Sequence, residues 1–283
     1  MKGRLLSEEH YAEIVALLKR NHAIFEITGI DLGGHSQGGL LAHQQAMADA
    51  MTANLTDQHH PNVVQAMNDL RDQLLNMKLP GYVQSVVTFN LIERCLAHST
   101  LYYCQRLPKE LGNFTWVVDA KDSGSIATPW EKWWTTVSLP VLQSMSLREP
   151  GCQLEEGDYR YFEPYLADGM PPHLAELVGP TDRPAKPIDL RKILSDLRFS
   201  SGAEGGLELV DILTNGVRRA MLGNLQAAGW LPIRELMIHR ESQYVSLVSL
   251  NGDSEYDYAC SSVIAGFRRG GRPMLLPENI GAG

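Results

Sequence analysis

Long apolar runs are missing from this sequence. No stretch approaches the roughly 20 apolar residues that span a bilayer, so no membrane-spanning segment is expected. The first residues turn polar at Ser7, Glu8 and Glu9, which is too early for the apolar core of a secretory signal. These two absences predict a soluble, cytoplasmic protein that has no membrane partner.

Cysteine is scarce and scattered. The chain has four cysteines and no Cys-x-x-Cys pair. They are Cys95, Cys104, Cys152 and Cys260. Such wide spacing argues against a zinc site and against a disulfide framework, and it suits a reducing compartment. We expect four buried or idle thiols.

Positive charge is also in short supply. Lysine and arginine together number 25 against 33 aspartates and glutamates, which gives a net charge of −8 and a pI near 5.6. Proteins that hold nucleic acid by bulk electrostatics are usually basic, because phosphate contacts supply most of the non-specific affinity. The composition argues against a tight, sequence-blind nucleic-acid binder. It leaves room for a nuclease whose acidic site gains positive charge from bound metal ions.

Helical and strand patterns alternate along the 283 residues, which suffice for one large domain or two small ones. Apolar spacing and capping residues predict helices over 7–20, from about 39 to 54, from His60-Pro61 to a stop at Leu79-Pro80-Gly81, over 82–104, after Thr128-Pro129, and over 207–222. Strands are predicted over 23–30, 111–119 and 243–250. This order predicts an α/β layered fold with a central sheet.

Three further segments complete the predicted layout. Residues 150–187 are rich in proline and glycine and are interpreted as a long irregular excursion. The last dozen residues are expected to form a loose tail. Trp130, Trp133 and Trp134 recur at helical spacing, which favours core packing over a platform for stacking bases.

The segment Gly34-His35-Ser36-Gln37-Gly38 fits the Gly-x-Ser-x-Gly turn that exposes a nucleophilic serine between a strand and a helix. Only 35 residues precede Ser36, too few for the strands that normally come before such a turn. The base would have to be His173 or His239. The alternative interpretation is a glycine-rich turn without catalytic function.

Two aspartates lie at the ends of apolar elements. Asp119 closes the apolar segment Phe114–Val118, and Asp211 has apolar neighbours on both sides in residues 207–213. A carboxylate in apolar surroundings is costly unless it is solvated or binds a cation. Two-metal phosphoryl chemistry needs such carboxylates. From spacing alone two interpretations remain open: metal ligands, or a strand-end turn residue and a charge favoured near a helix start.

Several segments resemble a family of bacterial proteins known as domain of unknown function 3800. The likeness is carried by residues 110–122, which contain Asp119, and by residues 207–219, where a leucine-rich turn leads to Asp211 and a helix that ends in arginines. It continues through 140–150, 157–162, 229–230, 236–240 and 271–274. The family also tolerates the Ile-Asp-x-Gly turn at Asp31 without a serine nucleophile, which argues against Ser36.

The resemblance implies a ribonuclease H-like fold and a nuclease activity on poorly defined substrates. Residues 1–283 would form a single domain whose mixed sheet is flanked by helices, with a helical insertion around 37–104. Asp119 and Asp211 would bind Mg²⁺ or Mn²⁺, and Glu93 is placed as a catalytic carboxylate by its order along the chain. Arg218 and Arg219 would steady a phosphate, although a helix C-terminus that favours cations explains them equally well.

Members of this family usually begin with a strand that ends in Asp-Glu-Ser, and nothing before Ser7 resembles it. We therefore expect the opening strand to be missing and the metal affinity to be reduced. An open place in the sheet would favour pairing with another strand, so a homo-oligomer is expected as well. Besides the nuclease, two functions stay open: a non-catalytic binding or scaffold protein, and the serine hydrolase that uses Ser36.

Overall fold

The computed structural model describes residues 6–120, 128–134, 138, 141–143, 146, 153–169, 187–239, 245–250 and 260–276. Its α-helices are α1 (Glu8–Arg20), α2 (Gln37–Thr52), α3 (Pro61–Leu75), α4 (Leu79–Arg106), α5 (Pro129–Trp133), α6 (Leu190–Ile193), α7 (Gly205–Met221), α8 (Ala227–Trp230) and α9 (Ser261–Phe267). Short 3₁₀ helices lie at Leu32–Gly34, Pro108–Gly112, Glu163–Tyr165 and Leu231–Leu236. None of the helices in these ranges has the length and apolar character needed to cross a lipid bilayer.

The strands are short. They are β1 (Ile27–Gly29), β2 (Val117–Asp119), β3 (Arg198–Ser200), β4 (Ile238–His239), β5 (Val245–Leu247) and β6 (Arg272–Pro273). They pair into two-stranded sheets, β1 with β5, β2 with β3 and β4 with β6, and the last two pairs are parallel. Helices together with parallel strands confirm the predicted α/β class. Within the described ranges the strands do not join into one larger sheet, so the ribonuclease H-like topology stays a prediction.

Backbone contacts divide the chain into two compact units. Unit 1 comprises Met1–Ile27, Ile92–Tyr244 and Ala259–Gly283, and unit 2 comprises Thr28–Leu91 and Val245–Tyr258. Unit 2 holds α2, α3 and the first part of α4, a region that overlaps the helical insertion expected around 37–104. That the chain behaves as a single domain stays a prediction.

In unit 2, α2 packs against α3. The hydroxyl of Ser36 accepts a hydrogen bond from the Gly39 N–H at 3.0 Å and so caps the start of α2. The buried side-chain amide of Gln44 donates to the carbonyls of Leu74 at 2.7 Å and Met77 at 2.9 Å. Because the last carbonyls of a helix have no partner inside it, Gln44 stabilises the end of α3 from the neighbouring helix.

The start of α4 differs from the prediction. Leu79-Pro80-Gly81 was expected to stop a helix, but α4 begins at Leu79 and the preceding helix already ends at Leu75. Proline near a helix start loses no hydrogen bond, because the N–H groups of the first turn have no partner within the helix. Pro80 therefore marks the start of α4 and not the end of the helix before it.

In unit 1, α1 packs against the 3₁₀ helix Leu231–Leu236 and against α8. Ser7 caps α1 and forms a capping box with His10, which confirms the predicted start. Gly216 of α7 lies against the buried ring of Tyr11, and a Cβ added there would lie 2.7 Å from the Tyr11 Cε1. A glycine is needed at this position for the two helices to approach so closely.

The tryptophans of α5 belong to the core of unit 1. Thr128 caps α5 by accepting a hydrogen bond from the Glu131 N–H, as its position before Pro129 predicts. Trp130 contacts Phe199 of β3 and Trp134, with ring centroids 5.6 and 6.0 Å apart, both in edge-on geometry. Trp130, Trp133 and Trp134 are all buried, which confirms core packing.

The predicted strands are longer than the observed ones. Residues 111–119 contain part of the 3₁₀ helix Pro108–Gly112 and only three strand residues, which are half-buried or exposed. The predicted strands 23–30 and 243–250 shrink to β1 and β5. The expected loose tail is partly ordered, because Arg272–Pro273 pairs with β4. Much of 150–187 lies outside the described residues.

Candidate functional site

The carboxyl end of the β2–β3 pair is the candidate site. The strands run parallel, with Val117 opposite Arg198, Val118 opposite Phe199 and Asp119 opposite Ser200. In both strands the chain leaves the sheet at this end, and the Ala120 N–H donates to the Ser200 carbonyl at 2.9 Å. Ligands of parallel α/β folds bind at the carboxyl ends of the strands. Asp119 stands at this edge.

One face of the strand pair carries three polar side chains beside Val117. Alternate residues of a strand point to the same side and paired residues of parallel strands share a face, so Asp119, Arg198 and Ser200 lie together. Phe199 points to the opposite face, where it contacts Trp130. The sheet thus has one face in the core and one that carries a carboxylate, a guanidinium and a hydroxyl.

Glu204 adds a second carboxylate to this face. The Arg198 guanidinium pairs with it through two nitrogens: Nη2 donates to Oε2 at 2.8 Å, and Nη1 contacts Oε1. Hydrogen bonds from Arg198 and then from Ser200 lower the pKa of Glu204, and the same contact raises the pKa of Arg198. Glu204 is therefore ionised at neutral pH and fixed beside β3.

A glycine-rich loop leads from β3 into α7. Glu204 is the residue before the first turn, but it makes no side-chain capping hydrogen bond, because its carboxylate is paired with Arg198. A Cβ added at Gly205 or Gly206 would meet no atom within 4 Å. Gly205 and Gly206 are both exposed, so the first turn of α7 is open to solvent, and its backbone N–H groups have no partner within the helix.

Asp211 lies two turns into α7, and α7 contacts β2. The buried side of α7 is formed by Leu213, Gly216, Val217 and Ala220. At 3.6 residues per turn, this stripe lies about 180° around the helix from Asp211. Asp211 is accordingly exposed. The elements that carry Asp119 and Asp211 meet, but neither carboxylate has the desolvated surroundings that the sequence argument assumed.

The other residues suggested by the sequence lie outside the β2–β3 pair, on α4 and α7. Glu93 is exposed on α4. Arg219 donates to the carbonyls of Leu6 at 3.5 Å and Asn224 at 3.3 Å, contacts that tie down the end of α7. Arg218 is exposed in the last turn of α7. It lies 13 residues after Gly205, which corresponds to about 20 Å of helix.

Ser36 has a structural explanation. Its hydroxyl caps α2. Both ring nitrogens of the neighbouring His35 contact backbone groups: Nδ1 lies 2.7 Å from the Asp31 carbonyl oxygen, and Nε2 accepts a hydrogen bond from the Leu250 N–H at 3.0 Å. Of the two candidate bases, His173 lies outside the described residues and His239 belongs to β4. Among the residues that the structure describes, the contacts of Ser36 are those of a helix cap and include no histidine base.

The donors at the β2–β3 edge suit a hard divalent cation. Mg²⁺ prefers oxygen ligands and often binds through one or two carboxylates plus water and substrate phosphate. Asp119 supplies an exposed carboxylate with room for such waters. The ranges that the structure describes contain no group of three or more histidine, cysteine, aspartate or glutamate side chains able to hold a metal. At this edge Asp119 offers one carboxylate, so such an ion would need its remaining ligands from water or from a substrate.

Arg198, Ser200 and Glu204 are not among the residues that the sequence suggested. The signal available was a short β-type segment followed by Ser-Ser-Gly-Ala-Glu-Gly-Gly before a helical stretch. A glycine-rich strand-to-helix loop of this kind is typical of anion-binding turns. A buried cluster formed by Glu26, Arg94 and His98 in unit 1 was missed as well.

Comparison with known proteins adds no family to this picture, because no family model, no curated protein and no solved structure matches the chain.

Proposed function

We propose that this protein is a divalent-metal-dependent phosphodiesterase that acts on nucleic acid, with its site at the carboxyl end of β2 and β3. The observation that carries the proposal is the position of Asp119, the last residue of a strand paired in parallel with β3, beside Ser200 and the open first turn of α7. Parallel α/β folds bind ligands at this edge. The ribonuclease H-like topology belongs to the same proposal.

Each residue has a separate task in this proposal. Asp119 provides the exposed carboxylate for Mg²⁺ or Mn²⁺, and the family resemblance adds Asp211 and Glu93 as further acidic groups. Bound there, the ion would supply a water of lowered pKa and neutralise charge on phosphorus. The backbone N–H groups of the first turn of α7 favour an anion through the helix dipole. The exposure of Asp119 allows a polymer to reach the site.

The test is a comparison of matched variants on four substrates. Single- and double-stranded DNA, RNA and a DNA–RNA hybrid are incubated with Mg²⁺ or Mn²⁺, and Mn²⁺ binding is measured separately by calorimetry. Asp119→Asn should reduce cleavage by about 100-fold or more and weaken Mn²⁺ binding, because a neutral amide is a poor ligand. Asp211→Asn and Glu93→Gln should reduce both to a smaller extent.

Asp196→Asn is the matched control. Asp196 is exposed and lies before β3, at the end of the sheet opposite to Asp119, so its loss should change neither cleavage nor Mn²⁺ binding. Cleavage by the wild-type protein that Asp119→Asn leaves unchanged would remove the proposal.

A non-catalytic binding protein is the second candidate. It is favoured by the exposure of Asp119 and Asp211 and by the lack of a group of three metal-binding side chains in the described ranges. Wild-type protein that retains an oligonucleotide but cleaves none of the four substrates with either metal would support this candidate over the nuclease.

A further inference from the structure

Arg198 lies on the same face of the β2–β3 pair as Asp119. Its Cα lies two residues before the end of β3, about 7 Å along the strand from Ser200. Its guanidinium, however, pairs with Glu204, which lies four residues after Ser200, beyond the carboxyl end of β3. The side chain therefore leans toward the carboxyl end of the sheet, on the face that carries Asp119.

The guanidinium of Arg198 has donors to spare. Arginine carries five N–H donors, and the pair with Glu204 uses one from each terminal nitrogen. No other acceptor binds the Arg198 side chain within the described residues, and this side chain is 52% exposed. Glu204 thus holds the guanidinium in one orientation, and the remaining N–H donors of the guanidinium are open to solvent.

We propose that Arg198 binds a phosphate group of the substrate beside Asp119 and that Glu204 is the positioning residue that holds its guanidinium. This inference rests on the proposed function, because it concerns the same site. A planar guanidinium binds phosphate through two parallel hydrogen bonds, and holding it in place beforehand lowers the entropy lost on binding. In a chain of net charge −8, a local cation is needed to bring a polyanion to the site.

This assignment replaces Arg218 and Arg219 with a nearer arginine. Arg198 belongs to the strand that pairs with Asp119, whereas Arg218 lies toward the far end of α7 and Arg219 binds backbone carbonyls. The role proposed for Arg198 follows from strand register and a side-chain contact, neither of which depends on catalysis.

The test measures binding apart from cleavage. A fluorescein-labelled single strand of about 12 nucleotides, as DNA and as RNA, is titrated with protein in EDTA and in Mg²⁺, at several salt concentrations. Arg198→Ala should weaken binding about tenfold, because a charge-assisted hydrogen bond is lost. The slope of the logarithm of the binding constant against the logarithm of the salt concentration should fall by the share of about one phosphate contact. Arg198→Lys should keep the salt dependence but regain only part of the affinity.

Glu204→Gln and Asp119→Asn separate positioning from charge. Glu204→Gln leaves the cation in place, so affinity should fall several-fold with an unchanged salt dependence and an unchanged melting temperature. A rise in affinity would overturn the positioning role of Glu204. Asp119→Asn removes a neighbouring negative charge and should strengthen binding in EDTA.

Arg191→Ala is the matched control, because Arg191 is also an exposed arginine paired with a carboxylate, that of Asp189 at 3.3 Å. If Arg198→Ala weakens binding no more than Arg191→Ala, or if the wild-type protein binds neither probe, the phosphate site is overturned, whether or not the protein cleaves other substrates. If binding depends on Arg198 but no metal supports cleavage, the proposed function fails and the phosphate site stands.

Discussion

Glu26 is a carboxylate buried in unit 1. Its side chain is 4% exposed, its Oε1 contacts the Nδ1 of His98, which is 1% exposed, and its Oε2 lies 3.4 Å from a guanidinium nitrogen of Arg94. The other ring nitrogen of His98 is buried and has no hydrogen-bond partner among the described residues. The stability of this cluster therefore depends on the carboxylate at its centre.

Removing that carboxylate should be strongly destabilising. Glu26→Ala leaves His98 buried without its acceptor and takes a counter-charge from Arg94, which is 16% exposed. Breaking a buried ion pair by removing one partner typically costs about 3–5 kcal/mol, and we expect the lower value because Arg94 reaches solvent. Replacing all three residues with apolar ones, Glu26→Leu, Arg94→Met and His98→Leu, should cost less than the single change, because no buried charge remains.

Urea denaturation followed by circular dichroism measures both effects as shifts of the midpoint at constant slope. Asp49→Ala is the control: it breaks an exposed ion pair with Arg71, at 2.8 Å, and should barely move the midpoint. A shift for Glu26→Ala as small as that for Asp49→Ala would refute the reasoning. So would a triple variant less stable than the single one.

Two further predictions concern packing and thiol chemistry. Gly216→Ala gains about 1 kcal/mol in helix propensity but places a Cβ 2.7 Å from the Tyr11 ring, so a net loss of up to about 2 kcal/mol is expected by urea denaturation. Gly206→Ala, where a Cβ meets nothing, should instead stabilise; a loss there equal to that at Gly216 would contradict the argument. Burial, and then the charge of Glu26, raise the pKa of Cys95 to about 12, so iodoacetamide at about pH 8 should leave Cys95 unmodified until urea unfolds the chain, as peptide mass spectrometry would show.

Helix starts could be predicted from the sequence because their causes are local. Ser7, His60 and Thr128 each accept a hydrogen bond from an N–H two or three residues further on. A capping residue and its partner are so close in the chain that sequence pattern alone reveals them.

Strand lengths could not be predicted in this way. A run of β-branched and aromatic residues indicates where a strand is favoured, but pairing decides how many residues join it. The partner of β2 is β3, 81 residues later by the register of Asp119 with Ser200. The composition of residues 111–119 favoured a strand of nine residues, but only the three residues of β2 are paired.

The candidate site was only partly predictable for the same reason. Asp119 was identified because it ends an apolar segment, a local feature. Arg198 becomes recognisable only when the register sets it on the face that carries Asp119, and Glu204 only through the ion pair that holds it beside Arg198. Each taken alone is an ordinary surface charge, so composition and spacing give it no particular weight.

Asp211 is a residue whose sequence neighbours mislead. Val210 and Ile212 flank it, and a carboxylate between two apolar residues suggests a desolvated charge. On a helix, adjacent residues point about 100° apart, and Val210 is itself 53% exposed. The residues that share the face of Asp211 are three and four positions away, and they include Glu208 and Thr214, both exposed. Solvation thus removes the electrostatic need for a cation at Asp211, so metal binding by this residue would have to be driven by Asp119 and by the substrate.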